Sequence, residues 1–362
     1  MKLSGNMNKA YKFRIYPSAS QKTIFAKTFG CVRFIYNQML SDRLEKKELK
    51  TPATYKLEYK WLAEVDSLAL CNAQMNLQKA FTNHKKKPKH FGKPHFKSRR
   101  NRQSYSTNNQ NGSVRIEDGK IKLPKVGFVK IVQHREIELK SKIKTVTISK
   151  MPSGEYYVSI LIEYENQVLK MIPKTFVGLD YSMKELYVSS DKERPKYPRF
   201  YRKSEKKLSK MQRRLSRKVK GSKNREKWRR KLSKQHSHVA NQRRGCLHKL
   251  TYYLVNTYDC ICIEDLNMQA MSKALKFGKS VHDNGWGMFT RMLEYKCEWN
   301  GKSLIKIDKF EPTSQKCHCC GYKNSETKDL SVREWRCEKC GAVHDRDVNA
   351  AINIREVGKK LA

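Results

Sequence analysis

Apolar and polar residues alternate through "NKAYKFRIYPS", residues 8–18, and the alternation stops at Pro17, so the spacing predicts a first strand. The period then changes. Phe25, Phe29, Val32, Ile35 and Met39 recur three and four apart and line one face of a helix, with Ser18 or Ser20 as its opening cap. A second pattern of this kind runs from Trp61 through Val65 and on through Leu70, Ala73, Leu77, Ala80 and Phe81. Stripes like these are core faces, and they predict a helical segment over residues 18–85. Residues 113–165 return to a period of two. "VRIEDGKIKL" reads as a hairpin turning at Asp118-Gly119, and "GEYYVSILIEYE" as a strand entered from Pro152-Ser153-Gly154. With the first strand they predict a small barrel interrupted by the helical insertion. From "TFVGLDYSMKELYVSS" onward the pattern is α/β: two short strands, helical spacing at Leu208, Met211, Leu215 and Val219, then buried strands at "YDCICIEDL" and "KSLIKIDKF". No fixed-period repeat is present.

Charge changes the picture next. The 362 residues carry 78 Lys and Arg against 34 Asp and Glu, a formal net charge of +44. Such a field repels itself in a compact chain and attracts polyanions, nucleic acid above all. No apolar run reaches the length of a membrane span and no secretory signal pattern is present, so the expected location is the cytoplasm; the opening "MKLSGN" reads as disordered. In "HKKKPKHFGKPHFKSRRNRQSY", residues 84–105, Pro and Gly break any helix, and Phe91, Phe96 and Tyr105 are interleaved with many cations. Rings stack on bases while cations hold phosphates, so this segment is a candidate nucleic-acid contact. Residues 202–249 are strongly basic on helical spacing.

Against this background three carboxylates stand out by position. Asp180 lies in the apolar strand "FVGLDYS", sharing a face with Gly178 and Ser182. Glu264 ends "CICIE" on the face of Cys260 and Cys262, with Asp265 pointing away. Asp347 opens a helical pattern in which Val348, Ala351 and Ile352 form an apolar stripe, while Asp345 suits a cap. Three converging carboxylates repel one another unless a hard cation lies between them. Mg²⁺ prefers such oxygen ligands, and two such ions roughly 4 Å apart suit phosphodiester cleavage.

The cysteines point to a second metal. Cys317, Cys319, Cys320, Cys337 and Cys340 fall within 24 residues, which is metal-site spacing in a reducing compartment. C-x₂-C at Cys317 and Cys320, 16 residues, then C-x₂-C at Cys337 and Cys340 predict one structural tetrahedral Zn²⁺. Gly321 and Gly341 follow each pair where the backbone must turn. Cys319 is out of register, and His344 could substitute for one ligand. The other cysteines read as small buried apolar residues.

The segments "GLDYSMKELYV", "ICIEDLN" and "PTSQKCHCCGY…REWRCEKCGAVHDRDVNAAINI" resemble TnpB, the transposon-encoded RNA-guided nuclease family ancestral to type V CRISPR effectors. "YKFRIYPS", "FGKPHFKSRR" and "NGWGMFTRMLEYKCEWNG" add to the resemblance, which covers nearly the whole chain. It implies a multidomain α+β and α/β architecture. A β-barrel wedge domain (1–17 and 106–174) would be interrupted by a helical recognition lobe with a basic tail (18–105). A RuvC-like, RNase H-type nuclease domain (175–314 and 344–362) would carry a zinc-ribbon insertion (315–343). The resemblance places the catalytic, Mg²⁺-holding triad on Asp180, Glu264 and Asp347, choosing Asp347 over Asp345 because it lies two residues before Asn349. It places zinc on Cys317, Cys320, Cys337 and Cys340. "DYS" departs from the aliphatic residue and Gly that many relatives have after the first acid, without removing a carboxylate.

The implied activity is cleavage of target DNA with two Mg²⁺, leaving a 5′ phosphate and 3′ hydroxyl, guided by a structured RNA from the element's own end. Base pairing would read the target, and the protein a short adjacent duplex motif. Nucleic-acid contacts would come from Phe91, Lys93, Phe96, Lys97, Arg99 and Arg100, from Arg213, Arg214 and Arg217, and from Thr313, Ser314 and Gln315 beside the zinc site. The chain would act as a monomer or homodimer. A compact type V CRISPR effector would use the same residues with another guide source. A nuclease-dead RNA-guided repressor would have lost an acid, and all three are present. A plain zinc-ribbon DNA-binding protein leaves the Asp180 and Glu264 strands unexplained.

Overall fold

A computed structural model describes residues 6–48, 50–137, 141–165, 168–274, 278, 283–329 and 331–362. Of the opening residues 1–6 expected to be disordered, 1–5 lie outside this set and Asn6 opens the first strand. Two compact units divide the chain, one up to residue 165 and the other from residue 168.

In the first unit the opening alternation forms β1 (Asn6–Tyr16), which buries Tyr11, Phe13 and Ile15 on one face. Ser18 starts α1 (Ala19–Leu44) through a capping box: its Oγ accepts the Gln21 N–H at 3.2 Å, and Gln21 Oε1 accepts the Ser18 N–H at 3.0 Å. Phe25, Phe29, Ile35 and Met39 of the predicted stripe are buried. The second apolar pattern is not one helix. It divides into a 3-10 turn at Lys60–Glu64 that leaves Trp61 exposed and α3 (Ser67–Lys86), capped by Asp66, and a short helix α2 (Pro52–Glu58) precedes it. Leu70, Ala73 and Leu77 of α3 pack on Ile35, Tyr36, Met39 and Leu40 of α1.

Six further strands follow: β2 (Gln103–Asn108), β3 (Arg115–Glu117), β4 (Lys120–Leu123), β5 (Gly127–Val132), β6 (Lys142–Lys150) and β7 (Tyr156–Glu165). They join β1 in one antiparallel sheet of order β2-β6-β7-β1-β5-β4-β3. Among the described residues no ladder joins its two outer strands, β2 and β3. The predicted hairpin is β3–β4, and positive φ at Asp118 (46°) and Gly119 (67°) gives the primed turn that matches strand twist. Tyr105 is in this core and not in a nucleic-acid contact: it is buried on β2 with its ring 5.7 Å from that of Phe29.

The second unit is a four-stranded sheet of order β11-β10-β8-β9, built from β8 (Phe176–Ser182), β9 (Leu186–Ser189), β10 (Cys260–Glu264) and β11 (Ser303–Ile307). β8, β10 and β11 are parallel, and β9 is antiparallel to β8. Parallel strands require helical crossovers that cover both faces, which explains why Cys260 to Ile263 form an unbroken apolar run. One face carries Val177, Leu179, Ile261 and Ile263 against α5 (Lys223–Thr257) and α7 (Trp286–Trp299), through Leu247, Leu254, Phe289 and Leu293. The other carries Cys260, Cys262 and Ile307 against Ile354 of α8 (Arg346–Leu361). Basic helix α4 (Phe200–Ser216) packs on α5 through Leu208, Leu215, Leu232 and Val239. Val219 falls beyond the end of α4 and is 76% exposed, so it is not part of that stripe. α6 (Met268–Ala274) follows β10.

Two glycines let α8 approach the sheet closely, Gly178 against the helix backbone and Gly358 against the Cys262 side chain. A Cβ at Gly178 would overlap the Ala351 carbonyl oxygen and lie 2.6 Å from the Arg355 nitrogen, and one at Gly358 would overlap the Cys262 Sγ. The buried stripe of α8 is therefore Ala350, Ala351, Ile354 and Gly358, not Val348 and Ile352, which are half-buried. Gly178→Ala is expected to lower the unfolding free energy by about 3 kcal/mol or more, because neither colliding atom belongs to a flexible side chain. The check is a fall in the denaturant midpoint at unchanged slope.

Candidate active site and metal centre

Strand register brings the first two carboxylates together. Cys262 pairs with Gly178 and Ile263 with Leu179, so one further step along the parallel ladder sets Glu264 beside Asp180, on the face that α8 covers. Asp347 lies one helical turn before Ala351, the residue whose carbonyl rests on Gly178, and α8 thereby carries it to the same place. All three carboxylates are half-buried. Burial, then the neighbouring charges of Glu264 and Asp347, push the Asp180 carboxyl well above the usual carboxylate range, against the pull of Arg346. Burial also raises Glu264, while a hydrogen bond from Thr313 opposes the rise. Asp265 points away into solvent, and its N–H is bonded to Ile307 at 3.1 Å.

The two acids of "HDRDVN" have different surroundings. Asp345 is the N-cap of α8: its Oδ1 accepts the Val348 N–H at 2.9 Å, and Arg194 Nη2 donates to its two oxygens at 2.9 and 2.7 Å. Asp347 is held only loosely by cations, with Arg194 Nη1 and Arg333 Nη1 each 3.7 Å from Oδ2. Its carboxylate is thus the one of the pair not committed to the backbone. The three carboxylates are not drawn within 4.8 Å of one another as the cysteine sulfurs are, but an all-carboxylate donor set whose charges oppose ionisation of Asp180 is the chemistry a hard divalent cation such as Mg²⁺ takes.

Sequence reasoning missed the groups that hold these acids. Thr313 is buried and donates its hydroxyl to Glu264 Oε1 at 2.7 Å, so it faces the carboxylate rather than a bound strand. Asn353 Nδ2 donates to the carbonyls of Thr313 (2.8 Å) and Lys316 (2.6 Å). Asn349 Nδ2 donates to Lys316 O at 2.8 Å, while its Oδ1 accepts the His318 N–H at 3.1 Å. A spacing of four between two asparagines inside an apolar helical pattern was the available signal. Nothing marks Arg194 among so many cations.

The cysteine cluster lies where the pairs predict it. The sulfurs of Cys317, Cys320, Cys337 and Cys340 are all within 4.8 Å of one another. Cys317 and Cys340 are 3.7 Å apart and Cys320 and Cys337 3.5 Å. Four sulfurs around one Zn²⁺ at about 2.3 Å are separated by about 3.8 Å, whereas a disulfide closes to about 2.05 Å, so this geometry fits zinc thiolates. Each pair closes a turn, Gly321 N–H to Cys317 O and Gly341 N–H to Cys337 O, at glycines with φ of 76° and 71°. The short strands β12 (Glu334–Arg336) and β13 (Val343–Asp345) pair behind it. His344 is buried with Nε2 3.1 Å from Cys317 Sγ, and with Cys317 and Cys319 it forms a second set of ligand atoms within 4.8 Å of one another. Cys319 is exposed.

The candidate nucleic-acid residues are scattered over both units. Phe91, Lys93, Phe96, Arg99 and Arg100 are exposed. Lys97 is half-buried: Asn37 bonds both its N–H (2.8 Å) and its carbonyl (2.9 Å), and its Nζ lies 3.5 Å from the Tyr36 ring centroid. That placement makes it a structural cation–π partner. Arg213, Arg214 and Arg217 are exposed on and just past α4, with Arg214 set over Trp228 at 5.5 Å. Ser314 and Gln315 are half-buried, and the Gln315 carbonyl accepts the Asn324 N–H at 2.8 Å. No described helix is long and apolar enough to cross a membrane.

Comparison with known proteins agrees with this architecture. Residues 159–275 match a family model described as "Probable transposase", 286–354 one described as "Cas12f1-like, TNB domain", and 7–48 a "Helix-turn-helix domain", which here is β1 followed by α1. The chain is 35% identical to a "Putative RNA-guided DNA endonuclease" of Streptomyces pristinaespiralis, over 97% of this chain and 90% of that one. It is 31% identical to the "Putative RNA-guided DNA endonuclease InsQ" of Escherichia coli K12, over 96% and 92%. A "TnpB-like protein L79" of Acanthamoeba polyphaga mimivirus is 35% identical over 38% of this chain and 27% of that one. The fold is similar to that in the cryo-EM structure of a Cas12f1–sgRNA–target DNA complex, with a TM-score of 0.62 at 13% identity over 97% of this chain and 99% of that one. With two relatives above 30% identity matched over nearly their whole length, the chain belongs to the TnpB family.

Proposed function

We propose that the chain is an RNA-guided DNA endonuclease, with Asp180, Glu264 and Asp347 as its catalytic carboxylates. The observation that carries this reading is their convergence: two acids from adjacent parallel strands and a third from the helix lying on them, with the charges of Glu264 and Asp347 both opposing ionisation of Asp180. These residues would hold two Mg²⁺, which supply an activated water and stabilisation of the leaving 3′ oxygen in phosphodiester hydrolysis. The chain's own part is to fix the three carboxylates on rigid elements and to keep Asp345 committed to capping, so that Asp347 alone turns to the site. One Zn²⁺ on Cys317, Cys320, Cys337 and Cys340 is structural, since four thiolates leave no open position. In domain terms, residues 1–17 and 106–174 form a wedge domain, 18–105 a recognition lobe, and 175–314 with 344–362 a RuvC-like nuclease domain carrying the ribbon at 315–343.

The guide is a structured RNA transcribed from the end of the element that carries the gene. The family's description as a transposase and the relatives' names support that source. Phe91 and Phe96 are placed to stack on bases, with Lys93, Arg99 and Arg100 on phosphates. Arg213 and Arg217 grip RNA backbone from the basic helix, and Ser314 and Gln315 lie beside the cleaved strand. Replacing Arg213 and Arg217 together by Ala is expected to weaken RNA binding and to flatten the slope of log K against log salt by about 1 to 2, because each lost phosphate contact removes roughly 0.7 to 0.9. Filter binding across a salt series measures this.

The function is tested by expressing the chain with its native flanking DNA, sequencing the co-purifying RNA, and re-targeting that RNA's variable end. Cleavage should follow the guide, on DNA that pairs with it. A preparation that binds no RNA, or that cuts without regard to the guide, contradicts the proposal.

A further inference from the structure

The segment entering the zinc ribbon is tied at one end to the nuclease site and at the other to the thiol cluster. At one end Thr313 spends its hydroxyl on Glu264 Oε1, 2.7 Å away, inside the protein. At the other, four residues on, Cys317 joins the thiol cluster. Between them the backbone is held to α8 by two buried asparagines one turn apart. Asn353 binds the carbonyls of Thr313 and Lys316, while Asn349 binds that of Lys316 and accepts from both the N–H and the Nδ1 of His318 (3.1 and 2.9 Å). A carboxylate at the end of a short strand has free rotation about its last bonds. A single donor on one oxygen fixes its plane, and that donor is only as well placed as the backbone carrying it.

We propose that Thr313 is a positioning residue for Glu264, and that the Asn349–Asn353 clamp couples this placement to the zinc ribbon. The inference rests on the assignment of Glu264 to the nuclease site. Thr313 does not touch the reacting atoms; it sets the orientation in which Glu264 meets a divalent cation. The hydroxyl, not the methyl, carries the effect, so serine should substitute and valine should not.

The test uses the full chain with its guide RNA. Thr313→Val is expected to lower single-turnover cleavage of saturating matched target by about 10- to 100-fold, the usual cost of removing an outer partner of a metal ligand. Mn²⁺ binding to the complex, titrated by electron paramagnetic resonance, should weaken in the same range, with target affinity and zinc content unchanged. Thr313→Ser should recover both to within about threefold, its hydroxyl being the same donor. Wild-type cleavage and Mn²⁺ affinity in Thr313→Val would overturn the inference, and so would a Thr313→Ser variant as impaired as the valine form. Should the valine variant fail to fold, Asn353→Leu tests the other end: weakened Mn²⁺ binding with one zinc retained supports the coupling, and wild-type Mn²⁺ affinity rejects it. Asp180→Ala separates the two levels. If it still cuts, the nuclease-site assignment falls; if it is inert while Thr313→Val is normal, only the positioning role does.

Discussion

Asp180→Ala should abolish guided cleavage, by on the order of 10³-fold or more, since the remaining two carboxylates leave an incomplete cation site. Binding of guide RNA and of target should persist, because no phosphate contact is removed. The same substitution should make the metal-free protein more stable. Burial and the charges of Glu264 and Asp347 raise the Asp180 carboxyl well above its ordinary value of 3.8. A group whose pKa is raised on folding supports stability while protonated, and that support is lost as pH climbs from about 4 through the folded value. In chelated buffer the melting temperature of Asp180→Ala should therefore overtake that of the wild type as pH rises through this window. Added Mg²⁺ should reverse the order, stabilising only the intact triad. Calorimetry with and without Mg²⁺ checks both signs; equal melting behaviour in the two proteins would contradict the crowding of charge.

Cys337→Ser should have the second large effect. Burial raises this thiol, yet the N–H groups of Cys340 and Lys339 and the neighbouring thiols bring it down to about 7, while the same sulfurs push Cys340 up. Structural zinc sites of this kind contribute about 10 kcal/mol to local folding, far more than the few apolar side chains of the ribbon supply. Loss of one thiolate should drop zinc from one per chain to near zero. The turns at Gly321 and Gly341 would open and the 313–318 backbone would lose its anchor, lowering cleavage about 100-fold although no nuclease carboxylate is altered. The β8–β11 sheet should stay folded, since its core is independent of the ribbon. Zinc content by atomic absorption and cleavage rate should fall together.

How much of this was legible in the sequence depends on the range of the interactions. Local patterns carried well: the capping box at Ser18, the turn at Asp118-Gly119, the strands holding Asp180 and Glu264, and the two cysteine pairs are each written within a few residues. Resemblance to a family then chose Asp347 over Asp345, and the cap geometry at Asp345 gives a physical reason for the choice. What failed depends on neighbours distant in sequence. Tyr105 looked like a stacking ring because cations precede it, but Phe25 and Phe29 enclose it. Lys97 looked like a phosphate contact until Tyr36 and Asn37 claimed it. The stripe of α8 is rotated from the pattern predicted because Gly178 admits the α8 backbone and Gly358 admits the Cys262 side chain where larger residues would normally set the face. Thr313 is grouped with candidate nucleic-acid contacts in the sequence, since nothing local says that Glu264, 49 residues earlier, receives its hydroxyl.

The position of α8 also bears on the order in which the chain is made. Synthesis runs from the N-terminus, so β8, β10 and β11 emerge first, and the face bearing Cys260, Cys262 and Ile307 stays uncovered until the ribbon and then α8 have followed. Until that moment Asp180 and Glu264 are solvated and without their third partner. The proposed nuclease site is thus completed only once α8, which follows the ribbon in the chain, has been made, and a nascent chain stalled at the ribbon would carry an open apolar face and no cutting activity.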